Sequence, residues 1–168
     1  LLYGGLLPMK PTWVALIAVL AALTILYGNL AAIPQKNIKR LLGYSSISHA
    51  GFLLLGVAAA TAFGTGAVLF YLFAYVFTNL GAFMVIVCLA NVTADEEIAS
   101  YAGLARRSPL LAAALTVALV SLAGVPPMAG FFAKFLVFSA VIEQQLWWLA
   151  AVGAVGVVAS LYYYLGVV

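Results

Sequence analysis

The chain has 168 residues, 67% hydrophobic and 7% charged, with a formal net charge of +3 and a mean hydropathy of +1.23. Its apolar runs are long and continuous rather than alternating with period two, which makes it an all-α integral membrane protein and excludes a β-barrel. So small a charge, spread over loops, excludes nucleic acid as a partner, and the single Cys88 inside an apolar segment leaves no disulfide framework and no cysteine metal site.

The sequence opens at Leu1 without a methionine and stops inside an apolar run, so it reads as a piece of a longer protein; no charged region followed by a cleavage site marks a signal peptide. Residues 1–11 read as a Gly/Pro-containing connector with Lys10. The first span is expected over about 12–33, with Thr12 as N-cap after Pro11, Trp13 at the interface and Pro34 as the stop. Asn29, near its far end, is able to bond across helices. The basic stretch Gln35 to Arg40 leads into a second span, about 39–61. Ser45, Ser48 and His49 fall there within about 100° of arc, with Tyr44 just outside. His49 is the only histidine and titrates near neutrality when unperturbed; it reads either as a packed, satisfied side chain or as a relay.

A Gly-Thr-Gly turn at 64–66 is expected before a third span, about 67–92. Tyr71, Tyr75, Thr78 and Asn79 follow i, i+4, i+7, i+8 and form a polar stripe facing inward, either lining a hydrated path or packing helices. Thr93-Ala94-Asp95-Glu96 resembles a capping box, so a short amphipathic helix over 94–104, ended by Gly103, is expected to lie on the membrane. Ser108 and Pro109 then supply an N-cap and a first-turn proline.

The next apolar run, about 109–142, would be roughly 50 Å long as a straight helix against a hydrocarbon thickness of about 30 Å. Pro126 and Pro127 each remove a backbone donor and disfavour helix at Val125, so the break is expected at 124–127, with Gly124, Pro126, Pro127 and Gly130 as its residues. Carbonyls freed there cannot face lipid and must be covered by protein or water. Lys134 follows the break. A lysine at the bilayer centre costs about 2.5–3.5 kcal/mol on insertion scales, and intramembrane ionisable groups are functional by default. The side chain reads as a proton relay or as a lysine that snorkels to the interface. The last span, about 146–168, has Trp147 and Trp148 at one interface and Tyr162 to Tyr164 approaching the other, with Gly153, Gly156 and Ser160 as a close-packing face. If the broken element crosses once, Lys36, Lys39, Arg40, Arg106 and Arg107 share the cytoplasmic side and Lys10 lies opposite; the charge count alone leaves a re-entrant hairpin open.

The segments Asn37-Ile38-Lys39-Arg40-Leu41-Leu42-Gly43-Tyr44-Ser45-Ser46-Ile47-Ser48-His49 and Gly124-Val125-Pro126-Pro127-Met128-Ala129-Gly130-Phe131-Phe132-Ala133-Lys134-Phe135 resemble the antiporter-like membrane subunits of proton-pumping NADH:quinone oxidoreductase (respiratory complex I), nearest the subunit N branch (subunit 2 in mitochondria). The resemblance runs along nearly the whole chain. It implies a bundle of about five transmembrane helices, one broken at 124–127, forming the C-terminal part of such a subunit, with a second broken helix upstream and hence about half of a proton path here. It implies that Lys134 passes protons toward the exit side and that Lys39 matches the lysine of the Ile-Lys-Arg motif. His49 matches a position holding other polar residues in sister subunits, and Asn79 one where a sister subunit has a central lysine, which suggests water organisation. Sister membrane subunits and lipid are the implied partners. NADH, FMN, iron–sulfur clusters and quinone are expected in partner subunits, with no cofactor or metal on this chain, and the bacterial inner membrane is expected rather than an organellar one. Two alternatives stand beside this: a subunit of a multi-subunit sodium/proton antiporter or membrane-bound hydrogenase, and a passive scaffold segment in which Lys134 would sit at the interface.

Overall fold

The computed structural model describes residues 10–93 and 96–168. Seven α-helices follow one another there: α1 (Lys10–Ala32), α2 (Ile38–Ala58), α3 (Ala62–Thr93), α4 (Leu104–Arg107), α5 (Pro109–Ala123), α6 (Ala129–Glu143) and α7 (Trp147–Val167), with a 3-10 turn at Ile98–Tyr101 before α4. The connector expected over 1–9 and the capping-box residues Ala94 and Asp95 lie outside the described residues.

Local chemistry sets most boundaries. Helix α1 already runs at Lys10, so Thr12 sits within it rather than capping it, and it stops two residues short of Pro34. Asn37 caps α2, its side chain accepting from Arg40 N at 3.1 Å. The Gly-Thr-Gly stretch is not a turn. The chain turns at 59–61, where Ala60 takes φ +54° and Thr61 Oγ1 accepts from Gly64 N at 2.9 Å. Gly64 is instead a place of close approach, since a Cβ there would lie 2.8 Å from Gly56 O. The amphipathic helix expected over 94–104 is also corrected. Glu97 is extended, and the chain forms only a 3-10 turn at Ile98–Tyr101, then Gly103 at φ +77° before α4.

Backbone pairing explains that correction, because Ile38 N donates to Glu96 O at 3.0 Å and Ile98 N to Lys36 O at 2.8 Å. The loop is thus tied to the α1–α2 connector by a single antiparallel bridge between Asn37 and Glu97. Side chains reinforce it: Lys39 Nζ donates to Glu96 Oε1 at 2.5 Å and Asn37 Nδ2 to Glu96 Oε2 at 3.0 Å. These two donors, Lys39 first, hold the Glu96 carboxyl below the usual carboxylate range. The clasp is therefore complete at neutral pH and loosens as acid protonates Glu96.

Buried apolar residues form two clusters stacked along the helices. The first joins Ala18 to Ile25, Phe52 to Ala59, Ala67 to Ala74, Ala133 to Val141 and Leu149-Ala150. The second joins Ala32, Ile38 to Leu42, Ala82 to Leu89, Leu115 to Ala123 and Tyr163-Tyr164. The buried apolar residues of α5 all lie in the second cluster and those of α6 in the first. Each is 15 residues long, about 22 Å, so the two helices cross the bilayer once as a pair. Together with α1, α2, α3 and α7, each long and apolar enough to span, this gives the bundle of about five membrane helices, one of them broken. Arg106, Arg107 and the basic α1–α2 connector then share one side.

Helices α1 and α2 meet through small residues. A Cβ on Gly28 would lie 2.5 Å from Ser48 N, and one on Gly51 would lie 2.8 Å from Ile25 N, so backbone opposes backbone. Gly28→Val in the complete subunit is expected to lower the melting temperature by several degrees. Gly43→Val, where nothing lies within 4 Å, serves as the silent control. Equal melting curves for the two would remove this contact from the account.

Candidate functional site: a buried lysine at a broken helix

A helix that stops inside a bundle leaves four carbonyls to be satisfied. Gly124, at φ +86°, turns the chain and donates to Val120 O at 3.2 Å and Ser121 O at 3.0 Å, while Val125 N also reaches Val120 O at 3.2 Å. That accounts for the first two. The others, Leu122 O and Ala123 O, accept from Lys134 Nζ at 3.0 and 2.8 Å. The lysine itself therefore covers the carbonyls that the proline break exposes. Its third bond goes to Ser160 Oγ on α7 at 3.3 Å, and that hydroxyl donates onward to Val157 O at 2.7 Å. Three acceptors match the three N–H donors of an ammonium, and the negative end of the α5 dipole points at it. Lys134 is 5% exposed, so it does not snorkel.

The geometry leaves room for this side chain only because residue 124 is glycine: a Cβ there would stand 2.9 Å from Lys134 Cδ. The two half-helices are also in backbone contact, for a Cβ on Gly130 would overlap Ser121 O and lie 2.8 Å from Ser121 C. Ser121 Oγ accepts from Gly130 N at 3.3 Å, stitching the start of α6 to the end of α5.

Beside this centre is a second, built on α2. His49, 5% exposed, has Nδ1 2.8 Å from the Tyr71 hydroxyl and Nε2 3.3 Å from the Tyr164 hydroxyl. A neutral imidazole donates through one nitrogen and accepts through the other, so one tyrosine gives a proton and the other receives one. Exchange of the tautomer with hydroxyl rotation would carry a proton across the ring. The Tyr75 ring packs on His49 at 4.8 Å between centroids, and its hydroxyl donates to Ser46 Oγ at 2.7 Å. Ser48 Oγ accepts from Asn29 Nδ2 at 2.7 Å, and Tyr163 Oη donates to Asn29 Oδ1 at 3.1 Å, extending the polar network to α1.

Of the residues the sequence singles out, His49, Tyr71, Tyr75, Ser45 and Ser48 face the bundle interior together. Tyr44 is half-buried and packs edge-on against Tyr27 at 6.4 Å. Thr78 turns back on Ala74 O at 2.7 Å, and Asn79 Oδ1 is a buried acceptor without a hydrogen-bond partner among the described residues. Lys39 is not brought to the centre: it pairs with Glu96, and lies ten residues, roughly 15 Å, along α2 from His49. Tyr163 and Tyr164 are core residues, while Tyr162 faces outward. A cavity of about 10 Å³, near the lower limit for one water, is lined by His49, Tyr71, Tyr75 and Thr78 on one side and Ser121, Leu122, Gly130 and Ala133 on the other. It joins the histidine centre to the break.

Residues 2–160 match the family model described as NADH:quinone oxidoreductase/Mrp antiporter, TM. The NADH-quinone oxidoreductase subunit N of Moorella thermoacetica is 53% identical over 163 residues, 97% of this chain and 34% of that protein; that of Desulforamulus reducens is 48% identical over 98% of this chain and 34% of its own length. Among solved structures, respiratory complex I from Thermus thermophilus with bound Aureothin aligns at TM-score 0.80 and 40% identity over 91% of this chain and 35% of that one. The Mrp complex from Dietzia sp. aligns at TM-score 0.88 and 29% identity, covering 92% and 29%. The chain thus spans about a third of the length of the curated relatives it matches.

Proposed function

The chain belongs to the NADH:quinone oxidoreductase/Mrp antiporter membrane family, and on that premise we propose that it is part of a proton-translocating membrane subunit of an NADH:quinone oxidoreductase in a bacterial inner membrane. The observation that carries the reading is the Lys134 amine, buried where α5 breaks and held by two main-chain carbonyls and Ser160. A primary amine in such a place holds and releases one proton as its surroundings change, which an arginine could not do. His49, between two tyrosine hydroxyls, supplies the neighbouring step, and the small cavity beside it reaches Ser121 and Leu122 at the break. Asn79, with its free acceptor, serves to orient water. Lys39 serves at the aqueous end, where its partner Glu96 is exposed to solvent.

On this reading the subunit's partners are sister membrane subunits. NADH, FMN, iron–sulfur clusters and quinone belong to other subunits, and quinone reduction elsewhere changes the field or hydration at Lys134. The likeness to the Mrp complex favours a second reading, as a subunit of a cation/proton antiporter, but at 29% identity it is the more distant one beside 53% for a subunit N. The complete complex reconstituted in vesicles separates them. NADH addition is expected to acidify the lumen in sodium-free medium, with a protonophore collapsing the gradient. Proton movement that needs a sodium gradient and ignores NADH would instead establish the antiporter.

A further inference from the structure

Lys134 is a buried cation with no carboxylate among the buried residues around it. Helix α6 packs against α2, α3, α5 and α7. The titratable groups these bring inward are His49 from α2, Tyr71 and Tyr75 from α3, none from α5, and Tyr163 and Tyr164 from α7; Glu143, on α6 itself, is exposed at the far end. Hydrogen bonds from α5 and α7 use the amine's three protons. What meets it from α2 is the ring of Phe52, whose centroid lies 5.4 Å from Nζ, inside the range of a cation–π contact.

That ring is held in place. Phe52 is 1% exposed, stacks on Tyr71 at 6.3 Å and 17°, and packs on Phe138 at 6.3 Å. A glycine on α7 makes space for Phe138, since a Cβ on Gly153 would lie 2.9 Å from Phe138 Cζ. The Phe52 ring thus touches the lysine amine and the tyrosine that bonds His49.

We infer that Phe52 is a positioning residue for the proton on Lys134, its π face acting as the fourth, non-hydrogen-bonding ligand of the ammonium in place of a counter-ion. The inference rests on the relay reading of Lys134. The π face stabilises the charged amine and not the neutral one, so its loss adds to any packing cost an effect that depends on protonation.

The test uses the complete complex in vesicles, with NADH-driven proton translocation recorded against pH. Phe52→Leu removes the π face at similar volume; 3,4,5-trifluorophenylalanine incorporated at position 52 keeps shape and weakens the quadrupole, and decides the matter if the leucine variant fails to assemble. The alkaline side of the profile is expected to move toward acid by about half to one and a half pH units in Phe52→Leu, the size of a desolvated cation–π contact, and by less in the fluorinated protein. Unmoved profiles, or a rate lowered equally at every pH, would reduce Phe52 to packing. Lys134→Met is run beside them. If it pumps normally, the relay reading falls, and the inference with it; if it has lost pumping while the Phe52 profiles stay put, only the inference falls.

Discussion

Lys134→Met in the complete complex is expected to cut proton translocation about tenfold or more while the complex still assembles. A positioned proton carrier typically contributes roughly 10²–10⁴-fold to the step it serves, and methionine preserves length and apolar packing without holding a proton. The substitution leaves Leu122 O and Ala123 O unpaired, and each buried unsatisfied carbonyl costs about 1–3 kcal/mol. That is enough to lower the melting temperature by several degrees but not to unfold a bundle of about five membrane helices. The measurement is proton uptake per NADH oxidised, alongside the amount of assembled complex. Normal stoichiometry and rate in an assembled mutant would falsify the assignment of Lys134 as a proton carrier.

A second large effect is expected at Gly130, where the two halves of the broken crossing touch backbone to backbone. Overpacking typically costs about 1–3 kcal/mol when side chains are able to yield. A Cβ at 130 meets the main chain of Ser121, which does not rotate away. Gly130→Val is therefore expected to reach or exceed about 3 kcal/mol, pushing α6 off the end of α5 and taking Lys134 out of reach of Leu122 and Ala123. Translocation falls with incorporation of the subunit into the complex. Gly166→Val, where nothing lies within 4 Å, is the matched control, and a Gly130→Val complex that assembles and pumps like it would show that the half-helices are not locked together here.

The spans and the break were legible because they rest on local rules: apolar length, proline's missing donor, and the coincidence of Ser45, Ser48 and His49 on one helical face. The buried lysine was legible as an anomaly. Its partners were not, since nothing in the order of residues says that the amine which needs acceptors and the carbonyls which need donors, 11 and 12 residues apart, satisfy each other. Nor does the sequence show that the hydroxyls of Tyr163 and Tyr164 are satisfied inside the bundle, on Asn29 and His49. The spacing of Gly153, Gly156, Ser160 and Tyr163-Tyr164 along one side of α7 was the available sign. Likewise the helix expected over 94–104 lost to long-range pairing with Lys36 and Ile38, which no local propensity reports.

Helix α5 ends on main-chain carbonyls that face the Lys134 amine. An ammonium solvated by peptide oxygens has partners that no change of acidity is able to erase, whereas a carboxylate partner loses its charge once it picks up hydrogen. The carbonyl side of the grip on Lys134 is therefore sensitive to distance: sliding the tip of one half-rod by an ångström or so relative to the other would change it.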